Sequence, residues 1–580
     1  MAELSISFAG APVSATALGN LIMGEVETAL NLPSRFMLVF ADPRHSLVGT
    51  IGVSFGATVR LAVGPTVLML GEVTAMEMEY DHSHGTQLII RGYDKLHRLQ
   101  SGRSARVFSE QSSFADAVEM LATNHRLTVG DLSGAPSAPV PWIGQRDVSD
   151  WDLLMALAEE AGAVVGIDAG GMFNFSKPTA GSEAPAPGTP SGDDASHPLQ
   201  LVPDNNLLRV RAVASGVQQT TEVNVRSWDP MKKQAVVGQA TPKTSAVSAT
   251  LTPDSASSTL AGGVFVEART SVPDEATATT LATGLADRIG ATVGEIDGIA
   301  AMTPQLRAGV AVSLGNLGAP FDGKYVLTSV RHQFSARTGD RSFFAASGRQ
   351  DRTVLGLAAA SDDRRANRYG GVVNGVVTDI ADPQNLARVK VSVTVWSDTF
   401  VTDWARVAQP GTGNKHGAFL PPQVGDEVLI AFENGDLRRP VVLGGLYGGV
   451  DVPNLGDAGS LVDNGNYTRR GITSTAGHLL IFFDGDSKSG LAMMSSDSMY
   501  KLSLNKTKKQ IAITVSEGGA KVVVNADGDI SLTSTNGDVK ISGQNVSLQA
   551  QQSFKVQSSS GASIEDSSSV AIKGAQVTLN

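Results

Sequence analysis

The last part of the chain alternates apolar and polar side chains in a regular way. From residue 471 onward, apolar residues recur as pairs at positions i and i+2, separated by short polar turns. Successive pairs start about eight residues apart, which fits a strand of about five residues followed by a turn. The pairs are Val522 and Val524, Ile530 and Leu532, Val539 and Ile541, Val546 and Leu548, Phe554 and Val556, and Val570 and Ile572.

A strand of this length cannot enclose a core by itself. Single-chain β-helices need about 20 or more residues per coil, so a step of about eight closes a prism only if three chains each supply one wall. Winding the chains together also removes unpaired strand edges. The pattern therefore predicts an intertwined, triple-stranded β-helix over residues 471–580, with the paired residues in the trimer core. At its end, Val577, Leu579 and Asn580 would form a docking surface for a partner protein.

The first part of the chain has the pattern of a small β-barrel with a helical insertion. Residues 1–110 contain short alternating stretches separated by Gly, Pro and Asp turns, which predicts the first barrel. In the insertion, residues 111–200, capping boxes that begin at Ser113 and Ser149 each open a helix, and Gly162 is the expected cap of the second.

The middle of the chain contains two breaks in this pattern. Residues 178–198 are rich in Pro, Gly and Ser, which predicts a mobile surface loop or a linker. A second small barrel is predicted over 201–360, interrupted by a helix that starts at Pro273. The polar stretch 361–371 is the predicted linker to the next domain.

Residues 372–449 have the pattern of a separate compact β domain. Five short apolar stretches within about 75 residues fit an OB-type barrel, in which Trp404 and Phe432 are expected to fill the interior. A connector, residues 450–470, separates this domain from the predicted β-helix. The fold class is therefore mainly β, with a hub of two small β-barrels and helical insertions, an OB-fold neck and a C-terminal trimeric β-helix or prism.

Composition narrows the possible partners. The formal net charge is -11 and no basic block is present, which argues against a nucleic-acid partner because phosphate binding requires clustered Lys and Arg. The chain has no Cys, so disulfides and thiolate zinc sites are excluded. Its first residues lack a basic region followed by an apolar one, and we expect no export by a signal peptide.

The segment from Gly375 to Gly449 carries a dense set of motif residues. It closely resembles the OB-fold core of VgrG spike proteins and the matching domain of contractile-phage spikes. A chance match of this length is negligible. The matching residues are Asp382, Pro383, Arg388, Lys390, Trp404, Arg406, Gly425, Asp426, Glu427, Glu433, Gly435, Asp436, Pro440 and Gly444.

Other segments resemble related spikes. Residues 148–162 and 306–334 resemble the hub domain of phage late-control D proteins, and residues 477–486 resemble the family's entry into the needle. Residues 71–79 and 91–108 are more similar to spikes of extracellular, phage-tail-like injection systems than to those of type VI secretion.

The resemblance implies a mechanical role. A homotrimer would cap a hexameric inner tube at the baseplate, contact other baseplate proteins and carry a PAAR-type tip protein and effector cargo. Sheath contraction would drive it through a target envelope, so that contact with the target membrane is transient. The particle would assemble in the bacterial cytoplasm and, in the extracellular class, be released on lysis.

No catalytic, cofactor or metal site is predicted, and we expect the chain not to be an enzyme. His82 and His84 could form a metal-binding pair, but no further ligand is placed beside them and a polar hairpin turn is favoured. Asp484 and Asp486 could start a calcium loop, but a Gly turn is favoured because too few oxygens are spaced for calcium.

Two other classes of function remain as alternatives. A spike fused to a cell-wall hydrolase would need an enzyme domain between neck and needle, where the connector is short. A glycan-binding tailspike would need aromatic grooves along its shaft, but Phe554 is the one aromatic residue in 511–580.

Overall fold

A computed structural model describes residues 4–83, 85–108, 111–187, 197–348, 368–456 and 461–578. The chain forms two compact units, Met1–Asp451 and Val452–Asn580. Parts of the predicted loop at 178–198 and of the predicted linker at 361–371 lie outside the described residues, as do His84, Leu579 and Asn580. Among the described residues, no helix is both long enough and apolar enough to cross a bilayer.

The first predicted barrel is a set of antiparallel strands around an apolar core. Side chains alternate along each strand, so that Leu4, Ile6 and Phe8 of the first strand are buried while Ser5 is exposed. The elements are β1 (Leu4–Phe8), β2 (Ala11–Pro12), α1 (Ala15–Leu18), β3 (Leu21–Ala29), β4 (Arg35–Ala41), α2 (Leu47–Ile51), β5 (Thr58–Val63), β6 (Thr66–Asp81), β7 (Gly85–Tyr93), a 3-10 turn (Lys95–Gln100) and β8 (Ser104–Val107).

Both predicted capping boxes are present in the helical insertion. The Ser113 hydroxyl accepts the amide of Asp116, and the Ser149 hydroxyl accepts the amide of Asp152, each at 3.1 Å. Gly162 ends the second helix in the left-handed conformation, with φ of 66°. The elements are α3 (Phe114–Asn124), β9 (Thr128–Val129), β10 (Gly144–Val148), α4 (Asp150–Ala161), β11 (Val164–Ile167) and β12 (Met172–Ser176).

The second hub region contains the predicted third helix, but that helix begins later than Pro273. It spans Glu275–Gly290, because the Asp274 side chain caps it by accepting the amide of Thr277 at 2.8 Å. The elements are β13 (Gln200–Leu201), β14 (Leu207–Ala214), β15 (Glu222–Asp229), β16 (Gln234–Ala240), β17 (Val247–Ala249), α5 (Pro253–Thr259), β18 (Val264–Glu267), α6 (Glu275–Gly290), β19 (Gly294–Ala301), β20 (Ala311–Leu314), β21 (Gly323–Val326), β22 (Ser329–Ser335) and β23 (Arg341–Ala346).

The two hub regions share one large sheet. It has 11 strands in the order β14-β19-β23-β22-β3-β4-β7-β6-β5-β1-β2. The two regions meet where β22 pairs antiparallel with β3, with His332 opposite Val26 and Phe334 opposite Gly24. Each region keeps its own apolar core. The prediction of two barrels thus describes the two cores, but the strands of both regions are continuous through β3 and β22.

The predicted OB domain is present as a five-stranded sheet in the order β25-β24-β29-β30-β26. Phe400 and Phe432 lie in its core. The expectation for Trp404 is wrong: it is half-buried outside that core, because strand alternation turns the neighbouring Ala405 inward instead. The elements are β24 (Val372–Asp379), β25 (Lys390–Ser392), β26 (Arg406–Val407), β27 (Thr412–Gly413), β28 (His416–Gly417), β29 (Glu427–Phe432), a 3-10 turn (Glu433–Gly435) and β30 (Pro440–Gly445).

The second unit is an antiparallel meander. Its seven-stranded sheet runs in sequence order from β33 to β39, and each strand pairs with the next in the same chain. The sequence pattern predicted strands wound between chains from residue 471 onward. Up to Thr533 the strands instead pair within the chain, because polar turns such as Asp484–Lys488 close hairpins. The elements are β31 (Val462–Asp463), β32 (Asn466–Tyr467), β33 (Arg469–Thr473), β34 (Leu479–Gly485), β35 (Lys488–Met494), β36 (Tyr500–Asn505), β37 (Gln510–Val515), β38 (Ala520–Asn525) and β39 (Ile530–Thr533).

Candidate assembly interface

One face of the seven-stranded sheet is largely apolar, with the Arg470–Asp484 ion pair at its β33 edge. Antiparallel pairing places residues that lie directly opposite each other on the same face, and the register builds two cross-strand rows. The first row is Ile472, Leu480, Met493, Leu502, Ile513, Val522 and Leu532. The second row is Phe482, Leu491, Leu504, Ile511, Val524 and Ile530. We call these two rows the apolar face.

The opposite face of the same sheet has a different character. One row there is Ile481, Ala492, Ser503, Ala512 and Val523, buried at every position except Ser503, and the next row is Leu479, Met494, Lys501, Thr514 and Lys521. Lys501 and Lys521 lie opposite Thr514 on its two sides. This face is therefore apolar and buried at β34 and β35, where Ile481, Phe483 and Ala492 cluster, and polar at Lys501, Thr514 and Lys521.

Large side chains of the apolar face are uncovered in the single chain. Phe482, Met493 and Ile513 are 49%, 51% and 53% exposed. Ile472, Leu480, Met493, Leu502 and Ile513 also line a groove of about 630 Å³. An apolar surface this continuous on a folded domain indicates a surface that another protein covers.

The chain after Thr533 has the same apolar pairs without a sheet to carry them. Between Ser534 and Thr578, no described residue belongs to a strand. The side chains of this segment are turned to solvent, as for Val546 at 53% and Leu548 at 68% exposure. A segment without strands that carries exposed apolar pairs is the arrangement expected of strands whose ladder partners lie in other chains.

The predicted core residues divide between these two regions. Val522, Val524, Ile530 and Leu532 lie on the apolar face. The others lie in the segment without strands, exposed in the single chain: Val539, Ile541, Val546, Leu548, Phe554, Val556, Val570 and Ile572. Val577 is also exposed.

Sequence reasoning missed the earlier strands of the apolar face. Leu480 with Phe482, Leu491 with Met493, Leu502 with Leu504 and Ile511 with Ile513 have the same i and i+2 spacing. These earlier pairs follow one another at wider steps than the later pairs. A constant period of about eight residues therefore does not include them. The pair spacing alone would have found them.

The first turn of the OB domain is built on a carboxylate from the motif. Asp382 accepts the amides of Gln384 and Leu386 at 3.0 and 2.9 Å and two side-chain bonds from Arg388 at 3.0 and 2.7 Å. The hydrogen bonds from Arg388 hold the pKa of the Asp382 carboxyl well below its usual value. Pro383 follows Asp382 in the same turn.

Other motif residues stabilise turns, pairs and strands. The remaining charged ones form side-chain contacts: Arg406 pairs with Glu433, Glu427 accepts from Asn374 at 3.0 Å, Asp426 accepts the amide of Gln423 at 2.8 Å, and the Lys390 ammonium lies 5.2 Å from the Trp404 ring centroid. Gly425 and Gly435 adopt positive φ of 98° and 77°, which favours glycine. Pro440 and Gly444 lie in β30 opposite Phe432 and Leu429.

A buried arginine joins the OB domain to the hub. Arg438 donates to Glu160 of α4 at 2.9 Å, to Asp436 at 3.0 Å and to the carbonyl of Ser271 at 3.1 Å. The two carboxylates outweigh the effect of burial and raise the pKa of Arg438. Nearby, Trp142 of the hub packs into the OB core and its indole N–H donates to the carbonyl of Val401 at 3.1 Å. Asp436 of the motif is therefore part of the junction between the OB domain and the hub.

The structure places the two candidate metal positions in turns. The Asp81 carboxylate accepts the amide of Ser83 at 2.8 Å beside the exposed His82. Asp484 pairs with Arg470, and Asp486 follows it in the hairpin turn. Within the described ranges, no three His, Cys, Asp or Glu side chains are grouped closely enough to hold a metal ion.

Comparison with protein families matches the OB domain and the hub. Residues 373–447 match the OB domain of the type VI secretion system/phage-baseplate injector. Residues 62–336 match the Alg8 N-terminal domain. A 44-residue stretch is 43% identical to the type VI secretion system spike protein VgrG3 of Vibrio cholerae, covering 8% of this chain and 4% of that protein. The chain therefore carries an injector-type OB domain and is similar to VgrG-type spike proteins.

The chain was also compared with solved structures, and three of the matches are from secretion systems and phage tails. One is the Escherichia coli c3393 protein, a component of the type VI secretion system, at 13% identity and a TM-score of 0.47, with 76% of this chain and 99% of that chain covered. Another is a 43 kDa tail protein of prophage MuSo2 from Shewanella oneidensis, at 12% identity and a TM-score of 0.45, with 60% and 99% covered. A Francisella PdpA–VgrG complex has 9% identity and a TM-score of 0.48, with 91% and 87% covered.

Proposed function

We propose that this chain, which carries an injector-type OB domain, is one subunit of the homotrimeric central spike of a contractile injection system. The observation that carries the proposal is the apolar face, with its two cross-strand rows left uncovered in the single chain. A surface of this kind is stable in water only when it is buried. Two further copies of the same chain are the partners that would bury it.

Three copies fit the two kinds of segment better than two. Three such sheets can close a prism with the uncovered apolar faces inward and Lys501, Thr514 and Lys521 outward. Beyond Thr533 the short strands would then pair with strands of the neighbouring chains, which satisfies their backbone groups. Each chain supplies one wall throughout, although the strand pairing changes along the shaft.

The proposed role in the particle is mechanical. The hub, residues 1–348, would cap a hexameric inner tube and contact baseplate proteins, and the OB domain would form the neck. The prism would be driven through the target envelope when the sheath contracts, carrying effectors with it. We place it in an extracellular, phage-tail-like particle that assembles in the bacterial cytoplasm, on the basis of the motifs at 71–79 and 91–108.

Imaging of particles from the producing strain tests this role. A small tag fused after Asn580 should appear in cryo-electron microscopy on the particle axis, beyond the baseplate end of the inner tube. Deletion of the chain should prevent assembly of sheathed particles, and the untagged chain should restore it. Tag density on the fibres or the sheath would contradict the proposal.

Titratable groups with shifted pKa values are embedded in the hub. Burial raises the pKa of Asp94 to about 6 and lowers that of His332 to about 4. Asp94 accepts the amide of Ser34 at 2.8 Å, and the His332 ring nitrogens lie 3.0 Å from the Ser342 hydroxyl and 2.9 Å from the Leu306 carbonyl. These contacts support a structural role for both groups, and we propose that the chain is not an enzyme. Clearing of peptidoglycan by the purified protein would contradict this.

Residues 576–580 are the proposed docking site for a conical PAAR-type tip protein. Val577 is 52% exposed near the last described residue, and three copies would present apolar side chains and open strand edges together. Deleting residues 576–580 should abolish capture of the tip protein in a pull-down while the trimer remains intact, because the other apolar pairs are kept. Capture with unchanged affinity would show that the tip protein docks elsewhere.

A further inference from the structure

The hub and the OB domain enclose a small basic cleft. It has a volume of about 280 Å³ and lies between the two-stranded sheet of β8 and β10 in the hub and the loop that follows β25 in the OB domain. We call it the Arg146 cleft. Its lining residues are Arg103, Ser104, Ala105, Arg146, Asp147, Val395 and Trp396.

The Arg146 guanidinium lies against two aromatic rings at this cleft. Its guanidinium carbon lies 4.8 Å from the Tyr369 ring centroid and 5.4 Å from that of Trp396. A register shift of β10 lies between Gln145 and Val148, and within it Asp147 adopts a positive φ of 48°. Bulges of this kind redirect a side chain from its normal strand position, which here sets Arg146 against the aromatic rings.

The hydrogen-bonding capacity of Arg146 is mostly unused. Its Nη2 makes a long bond of 3.4 Å to the carbonyl of Arg368, and its buried Nε has no partner among the described residues. The donors of a guanidinium lie in one plane, where they match the two oxygens of a carboxylate. Arginine side chains in such positions typically bind an anionic group.

The cleft also has an excess of positive charge. Arg103 pairs loosely with Asp147 at 3.7 Å, and both side chains are well exposed. Arg106, in β8 of the same two-stranded sheet, is already paired with Asp150. The charged residues that line the cleft are therefore two arginines, Arg103 and Arg146, and one carboxylate, Asp147. The cleft is locally positive, although the chain as a whole has a net charge of -11.

We propose that the Arg146 cleft binds an acidic side chain from an extended segment of a partner protein. The volume is below the roughly 300 to 1,000 Å³ of pockets for small molecules, which fits one side chain better than a free metabolite. Trp396 and the exposed Val395 supply apolar contacts for the methylene groups of a glutamate. The inference does not depend on trimer formation. In the proposed spike, the partner is a cargo protein.

Peptide binding to the full-length protein tests the proposal. Fluorescence anisotropy would compare a labelled glutamate-rich peptide with the same peptide in which glutamines replace the glutamates. We expect saturable binding of the acidic peptide, at least about tenfold tighter than that of the neutral peptide, because charge-assisted hydrogen bonds are lost in the latter. Equal binding of both peptides, or no saturable binding of either, would overturn the proposal. The absence of saturable binding is also the result expected if a neighbouring chain already covers the cleft, and it overturns the proposal in that case too.

Variants separate binding at the cleft from effects on folding. R146Q should weaken binding of the acidic peptide about tenfold, and R103Q should weaken it while leaving the fold intact because that side chain is exposed. Asp147→Asn should strengthen binding several-fold, because it frees Arg103 from its internal carboxylate, and a folding defect does not produce such a gain.

The matched control Arg226→Gln removes an exposed arginine away from the cleft. Unchanged affinity in both R103Q and Asp147→Asn, or an equal loss in the control, would contradict the assignment.

Discussion

Single charged side chains stabilise the first turn of the OB domain and join that domain to the hub. Asp382 gathers two backbone amides and the Arg388 side chain in one turn, and Arg438 joins three separate segments at the hub. Both are charged groups with little contact with water, so that removing one partner leaves another buried without its bond. Their contributions can be measured separately, because the five Trp residues all lie in the first unit and report on its unfolding.

Asp382→Asn should lower the free energy of unfolding of the first unit by about 1 to 3 kcal/mol at neutral pH, since charge-assisted hydrogen bonds are lost. The pKa of Asp382 is depressed in the folded protein, so its stabilising effect is complete above the unfolded pKa and is lost as the pH falls through the folded pKa. Urea unfolding followed by Trp fluorescence should therefore show a difference between the two proteins above about pH 5 that shrinks below about pH 4. Asp398→Asn, at an exposed site, is the control. A difference that grows on acidification would contradict the assignment.

Arg438→Met should destabilise the first unit by about 3 to 5 kcal/mol, because Glu160 and Asp436 are left without their buried partner. The same Trp fluorescence measurement gives the change. Arg211→Met is the control, since it removes an exposed pair with Asp297 that is worth about 0 to 1 kcal/mol. Equal effects of the two substitutions would mean that Arg438 does not hold the junction.

At the scale of elements, neighbouring residues of β37 test the apolar face. Ile513 lies in the first apolar row, whereas Thr514 points to the other face between Lys501 and Lys521. Ile513→Asp should break the trimer or sharply lower its melting temperature, because burying an unpaired carboxylate costs several kcal/mol per chain. Thr514→Asp should leave the trimer intact, since the new carboxylate meets two ammonium groups.

Sedimentation velocity and thermal unfolding by circular dichroism would compare the two variants. Val546→Asp extends the test to the segment without strands and should behave like Ile513→Asp. If Thr514→Asp dissociated the protein and Ile513→Asp did not, the assignment of the two faces would be reversed.

Local signals in the sequence were sufficient for the elements that depend on neighbouring residues. The capping boxes at Ser113 and Ser149 formed as predicted, because each needs only residues within one helical turn. The pairing of β22 with β3 joins segments about 300 residues apart, and alternation along a strand does not specify its partner. The cleft at Arg146 was missed for the same reason, since Tyr369 and Trp396 come from a distant part of the chain.

At the scale of the whole molecule, the proposed shaft has two ways of pairing strands. From Arg469 to Thr533 each chain hydrogen-bonds to itself, and only the side chains of the apolar face would meet other chains. From Ser534 onward both the backbone and the apolar side chains would depend on neighbours. Strands that cannot leave without breaking ladders to other chains resist local opening, which suits a part that must stay stiff under load.

The mass of the purified full-length protein tests the central claim most directly. Size-exclusion chromatography with multi-angle light scattering, at a protein concentration of about 1 μM, separates one chain from three without assumptions about shape. The account predicts a single species with the mass of three chains of 60.2 kDa each. A folded, monodisperse species with the mass of one chain at that concentration would contradict it.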